Sequence, residues 1–301
     1  MKATRYDPMF ARLAEAGEGA LIPFFVVGDP DSGLSTRLID AAIAAGADAL
    51  ELGLPFSDPV ADGPVIQAAG TRALEAGATV AAGWSQIRSI RARHPQLPIG
   101  LLCYANLAVA RGVDRFYREA AAAGVDSILL ADVPADEIEP FRAAADSAGV
   151  APVLVVPPNA DRPRIARILA LTRGYCYVTS RAGVTGGDDG IRRDLAARLA
   201  DLAIPGAPPA VVGFGIATPE QAAAALRAGA RGVIVGSALV RLVDAHRLEP
   251  DLMVAAVGTA VGRLKAATRG RGHAAVQLTT EPGEAAVPSV GIASDAGRTE
   301  L

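Results

Sequence analysis

The sequence predicts a single closed (β/α)8 barrel, the TIM-barrel architecture, and three observations favour this fold class. The chain has 301 residues, a usual length for one such barrel. Eight short apolar segments alternate with stretches of helical periodicity. A glycine that ends a predicted helix and precedes a predicted strand recurs at Gly46, Gly124, Gly149 and Gly229. The same alternation also allows an open, doubly wound sheet, which is the alternative fold.

The elements are predicted in the following order. An extra N-terminal helix covers residues 7–15, with Phe10 and Leu13 on its apolar face. The apolar segments that predict strands are 21–27, 47–52, 99–102, 127–130, 153–156, 176–178, 210–212 and 232–235. The last helix is predicted over 250–267. The periodic pattern stops after Arg269, so we expect a barrel domain at 1–269 and a disordered tail at 270–301.

Composition excludes several classes of protein. The chain is 51% hydrophobic and 20% charged with a net charge of -3, and it lacks the basic patch of a nucleic-acid binder. No uncharged apolar run reaches the roughly 18 residues of a membrane span. Charges interrupt the N-terminal region where a signal peptide needs an apolar core. The two cysteines are too few for a disulfide framework. We therefore expect a soluble, cytoplasmic protein with neither nucleic acid nor membrane as a partner.

Two carboxylates near the second predicted strand are the strongest candidates for catalysis. Glu51 lies inside an apolar run, where burial is expected to raise its pKa. The following Gly- and Pro-rich loop holds Asp58 and Asp62. A strand-end carboxylate and a loop carboxylate suit a general acid and a general base. The alternative is a capping Asp and a salt-bridged Glu.

Glycine-rich turns after the last two predicted strands indicate a phosphate site. In barrels, these two loops commonly hold a phosphate group against backbone N–H donors. The candidates are Gly213 and Gly215 after the seventh strand, Gly236 and Ser237 after the eighth, and Gly186 from the sixth loop. Taken singly, each such turn is compatible with an ordinary loop.

The sixth loop, 180–190, is long, polar and glycine-rich, which favours a mobile lid over an active site. Thr185 is the residue there that we expect to hydrogen-bond Asp62 when the lid closes. A flexible surface loop without function is the alternative.

Missing residue types narrow the reaction class. The only lysines are Lys2 and Lys265, both outside the predicted strands, so a Schiff-base mechanism is not expected. No His, Cys and Asp residues have the spacing of metal ligands, so no metal is expected. The site must then rely on acid–base chemistry by carboxylates. If it cleaves a carbon–carbon bond, the substrate itself must provide the electron sink.

The segment Glu-Leu-Gly-Leu-Pro-Phe-Ser-Asp-Pro-Val-Ala-Asp-Gly at 51–63 is the most specific motif of the sequence. Further motifs lie at 23–24, 28–30, 104–107, 132–134, 157–160, 180–186, 213–216, 236–238 and 265–269. In these motifs the chain resembles the tryptophan synthase alpha chain over about residues 5–269.

The resemblance implies cleavage of indole-3-glycerol phosphate to indole and glyceraldehyde 3-phosphate. It implies that Glu51 protonates the indole ring at C3 and that Asp62 accepts the indole N–H, with Tyr177 as an aromatic neighbour of both acids. Three apolar residues would form the indole pocket, namely Phe24, Leu102 and Phe214.

The resemblance also implies a beta-chain partner in an alpha2beta2 tetramer. Pro55, Asp58 and Pro134 match the positions that the family places against that chain. The beta chain would carry pyridoxal phosphate, whereas no cofactor is expected in this chain. Two alternatives are a stand-alone lyase that releases indole and a catalytically silent subunit that only activates its partner. The intact Glu51, Asp62 and Thr185 speak against the silent subunit.

Overall fold

This computed structural model describes residues 4–179 and 188–269, except for the side chains of 188–194. In that part of the chain, nine parallel strands form one curved sheet. The strands run in the order β5-β4-β3-β2-β1-β9-β8-β7-β6. Their bounds are β1 Ala20–Val26, β2 Leu50–Gly53, β3 Ile99–Cys103, β4 Ser127–Leu130, β5 Ala151–Pro152, β6 Val155–Val156, β7 Cys176–Thr179, β8 Ala210–Gly213 and β9 Gly232–Val235.

The sheet closes on itself through the stretch that contains β5 and β6. β5 pairs with β4, and β6 pairs with β7. Between them, the Val153 N–H donates to the Ile128 carbonyl, and the Leu154 carbonyl accepts from the Tyr177 N–H. One six-residue stretch therefore contacts both ends of the sheet and fills the fifth of eight barrel positions. The predicted closed barrel is confirmed, and the open sheet is excluded.

Twelve helices surround the sheet in the described residues. They are α1 Tyr6–Glu15, α2 Ser32–Ala44, α3 Pro64–Glu75, α4 Val80–Arg93, α5 Ala105–Arg111, α6 Val113–Ala123, α7 Glu139–Ala148, α8 Arg162–Leu171, α9 Asp188–Leu202, α10 Pro219–Arg227, α11 Ser237–Ala245 and α12 Pro250–Thr268. The predicted N-terminal and last helices are both present. Two helices, rather than one, follow each of β2, β3 and β9.

Several helices begin at a side-chain cap that the sequence encodes. Asp31, Thr79 and Asp161 each accept the backbone N–H of the residue three positions later. Thr218 and Gln221 form a reciprocal capping box at the start of α10. These caps satisfy N–H groups that the first helical turn would otherwise leave unpaired.

Two strand predictions differ from the structure by more than one residue at an end, and the others agree to within one residue. β2 begins at Leu50 rather than at residue 47, because the Asp48 carboxylate accepts the Leu21 N–H and holds the preceding residues in a connection. The fifth strand, predicted as 153–156, begins two residues earlier and is split. The break follows Pro152, which has no N–H to donate to a neighbouring strand.

In the described residues, we find no helix with the combined length and apolar character that a membrane crossing requires. The predicted tail, 270–301, lies outside the described residues, so its disorder stays a prediction.

Candidate active site

A cavity of about 320 Å³ opens at the carboxyl ends of the barrel strands, the end where barrel enzymes place their active sites. Glu51 of β2 and Asp62 of the loop after β2 both line this cavity. The barrel therefore brings together the two acids that the sequence singled out.

Glu51 is the more buried of the two acids, with 1% of its surface exposed. Its Oε1 accepts a hydrogen bond from the Tyr175 hydroxyl at 2.9 Å. Burial raises the pKa of Glu51 to about 7, and the hydrogen bond from Tyr175 opposes that rise. Because this pKa is close to neutrality, Glu51 can both give and take a proton.

Asp62 lies at the end of its loop, just before the first turn of α3, and is half-buried. Burial raises its pKa, and a hydrogen bond with the Tyr104 hydroxyl opposes the rise. The Tyr104 oxygen also accepts the Ala61 N–H at 3.1 Å, and its ring stacks on Phe56 at 5.3 Å between centroids. Tyr104 thus holds the loop that carries Asp62.

The aromatic and apolar residues predicted around the acids line the same cavity. Phe24, Leu102, Tyr177 and Phe214 all contribute to its wall. The rings of Tyr177 and Phe214 meet edge to face with centroids 5.6 Å apart. These side chains form an apolar surface beside the two carboxylates, as a planar aromatic ligand requires.

Tyr175 and Tyr104 are site residues that the sequence analysis did not assign. Tyr177 was predicted as the aromatic neighbour of the acids, but it is Tyr175 whose hydroxyl bonds to Glu51. A signal for Tyr175 existed, because it directly precedes β7 and lies two residues before Tyr177, and extended residues two apart point to the same face. Tyr104 gave no comparable signal, since its contact with Asp62 depends on the folded path of a neighbouring loop.

Most of the predicted phosphate-binding residues lie together on the other side of β1 from Glu51. Gly215, Gly236 and Ser237 line the cavity there, at the carboxyl ends of β8 and β9. Phe214 adopts a φ of 57° and Gly215 a φ of 86°, so this turn bends through backbone conformations that favour glycine. The result is a tight turn whose backbone reaches the cavity wall.

Gly213 does not line the cavity. A Cβ at this position would lie 2.1 Å from the Tyr177 hydroxyl oxygen, so only glycine fits against that ring. Its position explains the residue type by close packing, and its predicted role in phosphate binding stays a prediction.

The remaining predicted site residues fall into two groups. Thr185 and Gly186 lie outside the described residues. Of the predicted interface residues, Asp58 and Pro134 are exposed on the loops after β2 and β4, whereas Pro55 is buried. All three are on the same face of the barrel as the cavity.

The structure places Lys265 far from the cavity. Its Nζ pairs with Asp48 Oδ2 at 2.9 Å and with Glu18 Oε2 at 3.1 Å, next to the residues that precede β2 and β1. Lys2 lies outside the described residues, and no described cavity residue is a lysine. Over the same described ranges, no three acidic, His or Cys side chains are grouped as metal ligands. The expectation of a metal-free reaction stays a prediction.

Comparisons with known proteins agree with this geometry. Residues 10–269 match the family model described as tryptophan synthase alpha chain. The tryptophan synthase alpha chain of Shewanella oneidensis is 50% identical over 267 residues, which cover 89% of this chain and 96% of that one. The Escherichia coli alpha chain is 50% identical over 265 residues, 88% of this chain and 99% of that one.

Solved structures show the same similarity. The tryptophan synthase subunit alpha of Legionella pneumophila superposes with a TM-score of 0.81 at 30% identity, covering 89% of this chain and 99% of that one. A chain of Mycobacterium tuberculosis tryptophan synthase gives a TM-score of 0.76 at 30% identity, covering 89% of this chain and 99% of that one.

Proposed function

The chain belongs to the tryptophan synthase alpha chain family, and we propose that Glu51 and Asp62 perform the family's reaction in this protein. The protein is a carbon–carbon lyase of tryptophan biosynthesis. It cleaves indole-3-glycerol phosphate to indole and glyceraldehyde 3-phosphate. The observation that carries the assignment of residues is the pairing of a buried Glu51, with a pKa of about 7, and Asp62 in one cavity. Family membership favours the alpha subunit over a stand-alone lyase and over a silent activator.

Protonated Glu51 starts the reaction by giving its proton to C3 of the indole ring. The ring then carries positive charge, and Asp62 stabilises that charge by accepting a hydrogen bond from the indole N–H. The glycerol hydroxyl next to the ring loses its proton, the carbon–carbon bond breaks, and the bonding electrons restore the aromatic ring. Ionised Glu51 is placed to accept that last proton, because it lines the same cavity.

The other predicted residues position the substrate in this scheme. Phe24, Leu102 and Phe214 hold the indole ring, with Tyr177 beside it. Backbone groups of Gly215, Gly236 and Ser237, with Gly186 and Gly213, bind the phosphate. Thr185 closes on Asp62 and orients its carboxylate. The lyase domain comprises residues 1–269.

A beta chain is the expected partner, in an alpha2beta2 tetramer in the cytoplasm. That partner carries pyridoxal phosphate and joins indole to serine, and no cofactor is needed in this chain. Support comes from the exposed Asp58 and Pro134 and from Val60, whose surface is 81% exposed beside the catalytic loop. Exposed apolar surface next to a catalytic residue is typical of an interface.

The proposed reaction is tested by incubating the purified chain with indole-3-glycerol phosphate and measuring both products. We expect equal amounts of indole and glyceraldehyde 3-phosphate. The rate of indole release should be unchanged by EDTA in the assay, and unchanged after the enzyme has been treated with borohydride in the presence of substrate and freed of the reagent. Unequal products, or inactivation by borohydride in the presence of substrate, would contradict the carboxylate mechanism.

A further inference from the structure

Charge is unevenly distributed around the active-site cavity. The two acids, Glu51 and Asp62, lie on β2 and in the loop after it. Across β1, next to Gly236 and Ser237, the described lining of the cavity contains a single cationic side chain, Arg241. The cavity is therefore acidic where the indole ring is proposed to bind and basic where the phosphate is proposed to bind.

Arg241 follows Ser237 by four residues on α11, so both lie on the same face of that helix. This face is turned to the cavity, because both residues line it. Arg241 is exposed at the rim, where its long side chain can reach a bound ligand without displacing packed residues.

The nearest carboxylate along the helix, Asp244, is occupied by other partners. It pairs with Arg72 at 3.1 Å and with Arg247 at 3.2 Å. Arg72 is itself held by two hydrogen bonds to the buried Asp29. Among the described residues, no carboxylate forms an ion pair with Arg241, which leaves its guanidinium available for an anionic ligand.

We propose that Arg241 binds the phosphate of the substrate at the rim of the cavity and so sets the direction in which the substrate enters. The inference rests on the proposed function and adds to it a charged contact beyond the backbone groups of the glycine turns. A guanidinium forms paired, charge-assisted hydrogen bonds with phosphate oxygens. The Asp62 carboxylate at the other side of the cavity would repel a phosphate, so only one orientation of the substrate satisfies both ends.

The expected contribution is moderate because Arg241 is solvent-exposed. An exposed ion pair adds up to about 1 kcal/mol, which corresponds to about fivefold in affinity. The contact is the same before and during the reaction, since the phosphate takes no part in bond cleavage. Loss of Arg241 should therefore raise KM and leave kcat nearly unchanged.

The test measures binding of two probes by calorimetry: a non-cleavable indolyl alkyl phosphate and the matching indolyl alcohol without phosphate. For Arg241→Gln we expect about fivefold weaker binding of the phosphate, unchanged binding of the alcohol, and a reduced dependence on salt. Arg241→Lys should recover most of the affinity. Arg263→Gln is the matched control, because Arg263 is exposed on α12 and does not line the cavity.

The outcomes separate this inference from the function on which it rests. If the wild-type protein does not bind the phosphate probe, the proposed function fails. If it binds and Arg241→Gln binds equally well, the role of Arg241 is wrong. Equal weakening of the phosphate and the alcohol would also overturn the inference, because it would indicate a general change in the pocket.

Discussion

Glu51 is a carboxylic acid kept close to its neutral form by the fold. It is fully buried on a barrel strand, and its described hydrogen-bond donor is a tyrosine rather than a cation. Burial penalises the ionised form, and the hydroxyl of Tyr175 only partly offsets that penalty. The residue can therefore be protonated at neutral pH, as proton transfer to a carbon atom requires.

Tyr175 should set the pH at which the lyase loses activity. The rate is expected to fall as the pH rises through about 7, because protonated Glu51 is the proposed acid. The hydrogen bond from Tyr175 lowers the pKa of Glu51, so Tyr175→Phe should raise that pKa and move the alkaline limb of kcat/KM to higher pH. Steady-state rates across pH measure the shift.

Tyr177→Phe is the matched control for this pH profile. Tyr177 lines the same cavity, but its hydroxyl is not a hydrogen-bond partner of Glu51 in the structure. Its removal should leave the alkaline limb in place. An equal shift in both variants, or a shift to lower pH in Tyr175→Phe, would show that this hydrogen bond does not control Glu51.

The sequence was sufficient to predict which two acids would line the cavity, but not which residues would hydrogen-bond them. A carboxylate inside an apolar strand, such as Glu51, can be recognised from the sequence alone because it interrupts a run of hydrophobic residues. The folded structure is needed to recognise the contacts of Tyr175, Tyr104 and Arg241 with the site, because these contacts form only when separate strands and loops meet around one cavity. Their roles depend on tertiary geometry that no local pattern encodes.

At the scale of elements, Arg72 joins three segments around the site. It extends from α3, the helix that follows Asp62, to Asp29 after β1 and to Asp244 on α11. Its Nε and Nη2 hydrogen-bond the Asp29 carboxylate at 2.8 and 3.0 Å. This arrangement fixes the helix after the catalytic loop relative to the helix that begins at the proposed phosphate site.

Arg72→Leu should destabilise the protein by about 3 kcal/mol, because it leaves the buried Asp29 carboxylate without its partner. Denaturant unfolding measures the loss. Asp244→Asn is the control, since Asp244 is half-exposed and its loss should cost less than about 1 kcal/mol. Similar, small losses in both variants would mean that this junction contributes little to stability.

Element boundaries show where sequence-based prediction reached its limit. Strand positions followed from apolar runs, because buried parallel strands are continuous in hydrophobicity. The start of β2 at Leu50 could not be predicted from the apolar run, because it depends on Asp48 accepting the N–H of Leu21. The division into β5 and β6 also depends on contacts with β4 and β7 that lie far apart in the sequence.

For the whole molecule, the loop between Glu51 and Asp62 connects the site to the proposed partner. Its exposed residues, Asp58 and Val60, face the surroundings, whereas Phe56 packs on Tyr104, which hydrogen-bonds Asp62. A partner that contacts this loop would restrict Asp62 through Tyr104. Binding of a second chain can thereby alter catalysis without contributing a residue to the cavity.

We expect a cognate beta chain to raise the lyase rate by at least about tenfold, within the usual range of coupling between sites. Asp58→Ala should reduce this increase while leaving the rate of the isolated chain nearly unchanged, because Asp58 is exposed and does not line the cavity. Lyase rates with increasing beta chain measure both effects. An isolated chain that already reaches the rate of the complex would instead indicate a stand-alone lyase.

Replacement of Glu51 by Gln tests the central claim most directly, because it removes the proton donor and retains nearly the same shape. We expect the lyase rate to fall by about 100-fold or more, the usual contribution of a positioned acid. Affinity for a non-cleavable indolyl alkyl phosphate should change little. Glu75→Gln, the same substitution at an exposed position on α3, should leave the rate unchanged. A Glu51→Gln protein that binds the probe and retains more than about a tenth of the wild-type rate would contradict the assignment of Glu51 as the acid.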